Sequence, residues 1–99
     1  MLYAIFGEDA PDTAEKRRQA RPAHLRRVEQ LKHEGRLIVA GPHPAIDSDD
    51  PGPAGFTGSL IIAEFDSLAD AESWAAADPY VTEGVFARTA VKPFRRVLP

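Results

Sequence analysis

The fold of this chain is decided by residues 36–65, RLIVAGPHPAIDSDDPGPAGFTGSLIIAEF, which hold two strand-like runs and no helix between them. Residues 36–41 and 58–65 are almost wholly apolar and rich in β-branched side chains, which predicts a strand in each place. The stretch between them is rich in proline, glycine and aspartate, which predicts a long loop with several turns. The second and third strands therefore follow each other directly.

A further strand is predicted at each end of the chain. Residues 1–6, MLYAIF, are rich in strand formers, and we expect this strand to be buried on both faces. Residues 85–94 form the predicted fourth strand, in which Pro93 marks the end of the strand or the edge of a sheet.

Two helices are predicted between these strands. Asp12 or Thr13 can cap a short helical lead-in, a break or kink is expected near Arg21–Pro22, and the main helix runs from about 22 to 34. The second helix begins after Ser67, which is a suitable cap, and is stopped by Pro79.

The predicted order is strand, helix, strand, strand, helix, strand, which is typical of the α+β ferredoxin-like βαββαβ fold. Right-handed crossovers place both helices on one face of a four-stranded antiparallel sheet, in one domain over residues 1–99. The other face is bare and carries apolar side chains, so we expect a homodimer. Its first-strand residues are either Tyr3 and Ile5, or Leu2, Ala4 and Phe6.

Composition narrows the classes of function. The formal net charge is −3, so the chain offers no general basic field for nucleic acid, and its cluster of basic residues before position 28 is interpreted as a solvated helix face. The absence of cysteine excludes disulfides and thiolate metal sites, and fits the cytoplasm. No stretch approaches the roughly 20 apolar residues that a membrane helix needs, and the N-terminus does not resemble a signal peptide.

His24 is the first candidate for chemistry, because it shares a helix face with Val28 and Leu31. It is then either a partly buried structural histidine or a base suited to proton transfer near neutral pH. Asp78 ends the apolar stripe of the second helix and has two readings as well. It either holds the turn before Pro79 or orients His24 across the same sheet face.

The remaining candidates are weaker. Ser59 can donate a hydrogen bond to a ligand, and the pair Gly41-Pro42 allows close backbone approach to a turn or a ligand. His33 and His43 lack the spacing of a helical metal pair, so no metal site is expected.

These residues also carry a resemblance to a known family. The combination of Arg21-Pro22-x-His24, Gly41-Pro42, Gly58-Ser59 and Asp78-Pro79-Tyr80 closely resembles the YCII family, from Met1 to about Phe94. The resemblance implies a ferredoxin-like fold assembled as a dimeric α/β barrel, with an active site marked by His24 and Asp78. Some members of the family are dehydrochlorinases of chlorinated aromatics.

We therefore expect a small-molecule enzyme of the lyase or isomerase type that uses a His24–Asp78 proton-transfer pair without metal or cofactor. The expected substrate-binding residues are Ser59, Gly41, Pro42 and Tyr80. The alternative is a non-catalytic dimeric module that binds a small ligand.

Overall fold

The computed structural model describes all 99 residues. Its elements are β1 (Leu2–Asp9), α1 (Ala14–His33), β2 (Leu37–Pro44), a 3₁₀ turn (Gly52–Ala54), β3 (Phe56–Glu64), α2 (Leu68–Ala76), α3 (Pro79–Thr82) and β4 (Phe86–Phe94). The strands form one antiparallel sheet in the order β2-β3-β1-β4. This order confirms the predicted ferredoxin-like fold.

The main core lies between one face of the sheet and the helices. Tyr3 and Ile5 of β1 are buried there together with Val28 and Leu31 of α1. Because side chains alternate along a strand, Leu2, Ala4 and Phe6 lie on the opposite face. Phe6 is 40% exposed, so the prediction that β1 is buried on both faces is wrong for the isolated chain.

Helix α1 is continuous, so the predicted break near Arg21–Pro22 is wrong and the helix begins near residue 14 rather than 22. Pro22 is exposed, and the helix lacks the one hydrogen bond that its missing N–H would donate. Buried residues on both sides of the proline hold the helix to the rest of the molecule; they are Arg17, Ala20, His24, Val28 and Leu31. The side chain of Thr13 bonds back to the carbonyl of Ala10 and does not cap the helix.

The second helical region contains one element more than predicted. Ser67 caps α2 as predicted, because its hydroxyl accepts a hydrogen bond from the N–H of Asp70 at 3.1 Å. Pro79 ends α2, but it also occupies the first turn of the short helix α3. Proline suits that position because the first N–H groups of a helix have no partner within it.

The two middle strands extend beyond their predicted ends. Strand β2 continues to Pro44 and β3 begins at Phe56, so the connecting loop is shorter than the sequence indicated. None of the helices combines the length and the apolar character that a membrane crossing requires.

Glycine is required at position 58, where β1 and β3 approach closely. A Cβ atom built on Gly58 would overlap the carbonyl oxygen of Gly7, whereas one built on Gly41 would meet nothing within 4 Å. We expect Gly58→Ala to lower the free energy of unfolding by about 1–3 kcal/mol, as overpacked sites do. Gly41→Ala is the matched control and should be close to neutral. Urea unfolding of both variants checks this, and equal stabilities would contradict it.

Candidate active site

His24 and Asp78 are in direct contact. Nδ1 of His24 lies 2.9 Å from each carboxylate oxygen of Asp78, although the two residues are 54 positions apart in the chain. Both are buried, with 7% and 3% of their surfaces exposed. Since Nδ1 faces a carboxylate, Nδ1 carries a proton, and in the neutral imidazole Nε2 then presents a lone pair. Nε2 forms no hydrogen bond within the chain and is not sealed from solvent.

The position of Asp78 is fixed by the start of α3. Asp78 is the N-cap of this helix, and its Oδ1 accepts a hydrogen bond from the N–H of Tyr80 at 2.8 Å. The rigid ring of Pro79 follows directly and favours the helical turn. One carboxylate therefore holds the turn and also contacts His24, as each of the two interpretations of Asp78 requires.

Tyr80 lies against one face of the His24 imidazole. Its ring stacks on that of His24, with centroids 4.0 Å apart and an angle of 15° between the planes. Burial raises the pKa of Tyr80, and the nearby cations Arg17 and Arg21 offset only part of this effect. The phenol is therefore neutral near pH 7 and is able to donate a hydrogen bond.

Arg17 also belongs to this candidate site, although it was not among the residues predicted from the sequence. Its Nη2 donates to the hydroxyl of Ser59 at 2.9 Å and to the carbonyl of Gly58 at 3.1 Å. Its Nη1 lies 3.3 Å from Oδ1 of Asp9, and its guanidinium carbon lies 4.6 Å from the centre of the Tyr80 ring. Arg17 is only 8% exposed, so the interpretation of the basic cluster as solvated is wrong for this residue.

A signal for Arg17 does exist in the sequence. The positions 17, 20, 24, 28 and 31 follow the spacing of one helix face, and all five are buried. The predicted break at Pro22 assigned Arg17 and His24 to different helical segments, so the single buried face that contains both was not recognised.

Arg17, His24 and Tyr80 border an open cleft between α1 and the β2–β3 region, with a volume of ≈ 860 Å³. Such a volume suits a small organic ligand. His24, Ser59, Gly41, Pro42 and Tyr80 all line this cleft. Asp78 does not line it and instead borders a small cavity of ≈ 10 Å³, which His24 and Ser59 also line.

The cleft carries charges of both signs. Its lining includes three arginines and two aspartates, which are Arg17, Arg18, Arg21, Asp9 and Asp12. Asp9 is paired with Arg17, while burial raises the pKa of Asp9 and the positive charge of Arg17 offsets part of that rise.

Ser59 is buried and holds a defined rotamer through Arg17. Because its oxygen accepts from Arg17, its hydroxyl hydrogen is free to donate to a ligand. His33 is exposed at the end of α1, and His43 lies in β2. The structure brings together no group of three or more His, Asp or Glu side chains that could hold a metal ion.

Known proteins include close relatives of this chain in sequence. The closely similar relatives include Protein YciI of Escherichia coli, which is 59% identical over 97 residues, covering 98% of this chain and 99% of the relative. A protein of Haemophilus influenzae is 55% identical over the same length, with the same coverage.

Solved structures give a second line of comparison. The 5-chloro-2-hydroxyhydroquinone dehydrochlorinase of Burkholderia phenoliruptrix, determined in complex with 2,5-dihydroxybenzoquinone, superposes with a TM-score of 0.84 and 30% identity, covering 96% of this chain and 94% of that chain. An antibiotic biosynthesis monooxygenase shares the fold alone, with a TM-score of 0.51 and 17% identity over 99% of this chain and 100% of that chain. The model of the YCII-related domain matches residues 1–95. The chain therefore belongs to the YCII-related family.

Proposed function

We propose that this protein is a small-molecule enzyme of the lyase or isomerase type, in which His24 is the general base and Asp78 orients it. The observation that carries the proposal is the contact of Nδ1 with the Asp78 carboxylate, which leaves Nε2 without a partner beside a ligand-sized cleft. A carboxylate in this place fixes the tautomer of the imidazole and stabilises the imidazolium that forms when it accepts a proton.

The proposed step is a proton transfer carried out by side chains. Nε2 of His24 takes a proton from an acidic carbon or hydroxyl group of the substrate, and the electron pair left behind forms a new double bond. In an elimination, the leaving group departs with the electron pair of its own bond. The hydroxyl groups of Ser59 and Tyr80 donate hydrogen bonds to the substrate oxygen on which negative charge grows. Gly41 and Pro42 form part of the wall of the same cleft.

The substrate class that we propose is a flat, oxygenated ring. The dehydrochlorinase that this chain resembles acts on a chlorinated hydroxyhydroquinone, and its structure holds a dihydroxybenzoquinone. The aromatic side chains of Phe56 and Tyr80 line the cleft together with three arginines, and this surface suits a planar ring that bears acidic hydroxyl groups.

Two assays test this proposal. The first measures chloride release from 5-chloro-2-hydroxyhydroquinone, and the second measures heat on titration with 2,5-dihydroxybenzoquinone. Binding together with catalysed chloride release supports the proposed enzyme. Binding without turnover, on this compound and on a panel of hydroxylated rings, favours the alternative of a ligand-binding module. The absence of both binding and turnover contradicts the proposed substrate class.

We further propose that the chain is a homodimer whose sheets pack against each other. On the face opposite the helices, Phe6 is 40%, Val39 51% and Phe94 38% exposed. An isologous contact covers this apolar face on both copies, with a total buried area expected above roughly 1,200 Å². The cytoplasmic location expected from the sequence stays a prediction.

Sedimentation over a dilution series checks the dimer. We expect the wild-type protein to remain dimeric at micromolar concentration, and its melting temperature to rise with concentration. Phe6→Glu should produce monomers, because it places a charge within the apolar face. Leu68→Glu is the matched control, since Leu68 is 39% exposed but lies on α2. A well-folded wild-type monomer would contradict the proposal.

A further inference from the structure

Arg27 holds the only buried side-chain nitrogen or oxygen in the chain that lacks a hydrogen-bond partner, its Nη1. This atom lies 3.6 Å from Oδ2 of Asp78, beyond the distance of a good hydrogen bond. The guanidinium carbon lies 4.3 Å from the centre of the Trp74 ring, which fixes its position. Burial lowers the pKa of Arg27 and the negative charge of Asp78 raises it, but arginine remains a cation at any ordinary pH. A buried donor without a partner calls for an explanation.

Asp78 lies between two groups of α1. His24 contacts it through Nδ1 at 2.9 Å, and Arg27 approaches Oδ2 at 3.6 Å. Residues three apart on a helix are neighbours on its surface, so one carboxylate serves both side chains. His24 becomes a second cation when it accepts a proton, and the permanent charge of Arg27 opposes that change.

We infer that Arg27 is a positioning residue, whose charge near Oδ2 of Asp78 opposes protonation of His24 through the carboxylate that both side chains approach. Its catalytic meaning rests on the proposed function, whereas the effect on the protonation of His24 does not. Arg27 approaches Asp78 without a close hydrogen bond. It therefore acts on Asp78 and His24 mainly through its charge.

Other side chains surround His24 as well. Asp78 and Tyr80 face it from the segment before β4. Apart from Asp78, the side chains that line the small cavity together with His24 are uncharged; they include Ser59 of β3, Trp74 of α2 and Thr89 of β4. The charged groups near Tyr80 are two arginines of α1 and one aspartate of β1, which are Arg17, Arg21 and Asp9. Arg17 and Asp9 are paired with each other, so their charges largely cancel. Arg27 is the cation that contacts the carboxylate bound to the imidazole.

An NMR titration of the ligand-free protein tests the inference, with the imidazole signals of His24 as the readout. Arg27→Met keeps the length and apolar contact of the side chain but removes its charge. Because the imidazolium then forms without an opposing cation, its titration midpoint should rise by about one pH unit. Arg27→Lys restores the charge and should return the midpoint close to the wild-type value. Arg26→Met, which removes an exposed charge on the neighbouring position, is the control and should leave the midpoint unchanged.

A midpoint in Arg27→Met that equals or falls below the wild-type value would overturn the inference. If this variant does not fold, Arg27→Gln takes its place, and an unchanged midpoint in that variant would equally overturn it. The titration requires no substrate, so its result is independent of the turnover assays that test the proposed function. With an active substrate, the acid limb of the pH–rate profile should move upward by the same amount in Arg27→Met.

Discussion

Replacing His24 with asparagine should lower turnover by about 10²–10⁴-fold, because a general base, the role proposed for His24, usually contributes that much. The asparagine amide can take the place of Nδ1 and donate to Asp78, but nothing then replaces the lone pair of Nε2. The variant should therefore bind 2,5-dihydroxybenzoquinone with affinity close to that of the wild type while it loses chloride release. Steady-state kinetics and a binding titration on the same preparation measure the two effects.

His33→Asn is the matched control, because His33 belongs to the same helix but is exposed at its end. This variant should keep full activity. If His24→Asn also keeps full activity, His24 is not the base. A fall in stability of more than about 2 kcal/mol in His24→Asn, with turnover intact, would instead assign His24 to a buried structural network.

Replacing Asp78 with alanine should lower the free energy of unfolding by about 3–5 kcal/mol, as expected when one partner of a buried charged pair is removed. The side chain of Asp78 accepts from the N–H of Tyr80 and contacts both His24 and Arg27. His24 and Tyr80 would each lose a buried hydrogen-bond partner, and Arg27 would lose the negative charge nearest to its guanidinium. Asp78→Asn keeps an oxygen that accepts from Tyr80, so its cost should be about half as large.

Urea unfolding of Asp78→Ala beside Asp70→Ala measures this effect. Asp70 is exposed in the first turn of α2, and the loss of its charge there should cost less than about 1 kcal/mol. Similar losses in the two variants would show that the buried contacts of Asp78 contribute little to stability.

Much of the fold follows from local patterns in the sequence. The apolar runs predict the four strands and their order, and Ser67 predicts the start of α2, because alternation and capping depend on neighbours in the chain. The predicted break at Pro22 was wrong because it also rested on neighbours in the chain alone. Local rules count the hydrogen bond that proline loses, whereas packing on both sides of Pro22 holds the helix together.

The candidate site was predictable only in part. His24 and Asp78 each stood out as a polar residue on an apolar stripe, and the resemblance to the YCII family pointed to the same pair. Arg17 and Arg27 looked like members of a solvated cluster, because a sequence shows charge but not the distant partners that accept it.

By itself, the sequence determined the order of strands and helices, the placement of both helices on one face of the sheet and the apolar character of the other face. These features depend on residues within a few turns or strand positions of one another. The tertiary structure alone decided which set of β1 side chains faces the helices, and it placed Arg17 on Ser59, 42 positions away. It also placed Arg27 and His24 around one carboxylate, since burial and charge pairing across such separations depend on how the sheet and helices pack.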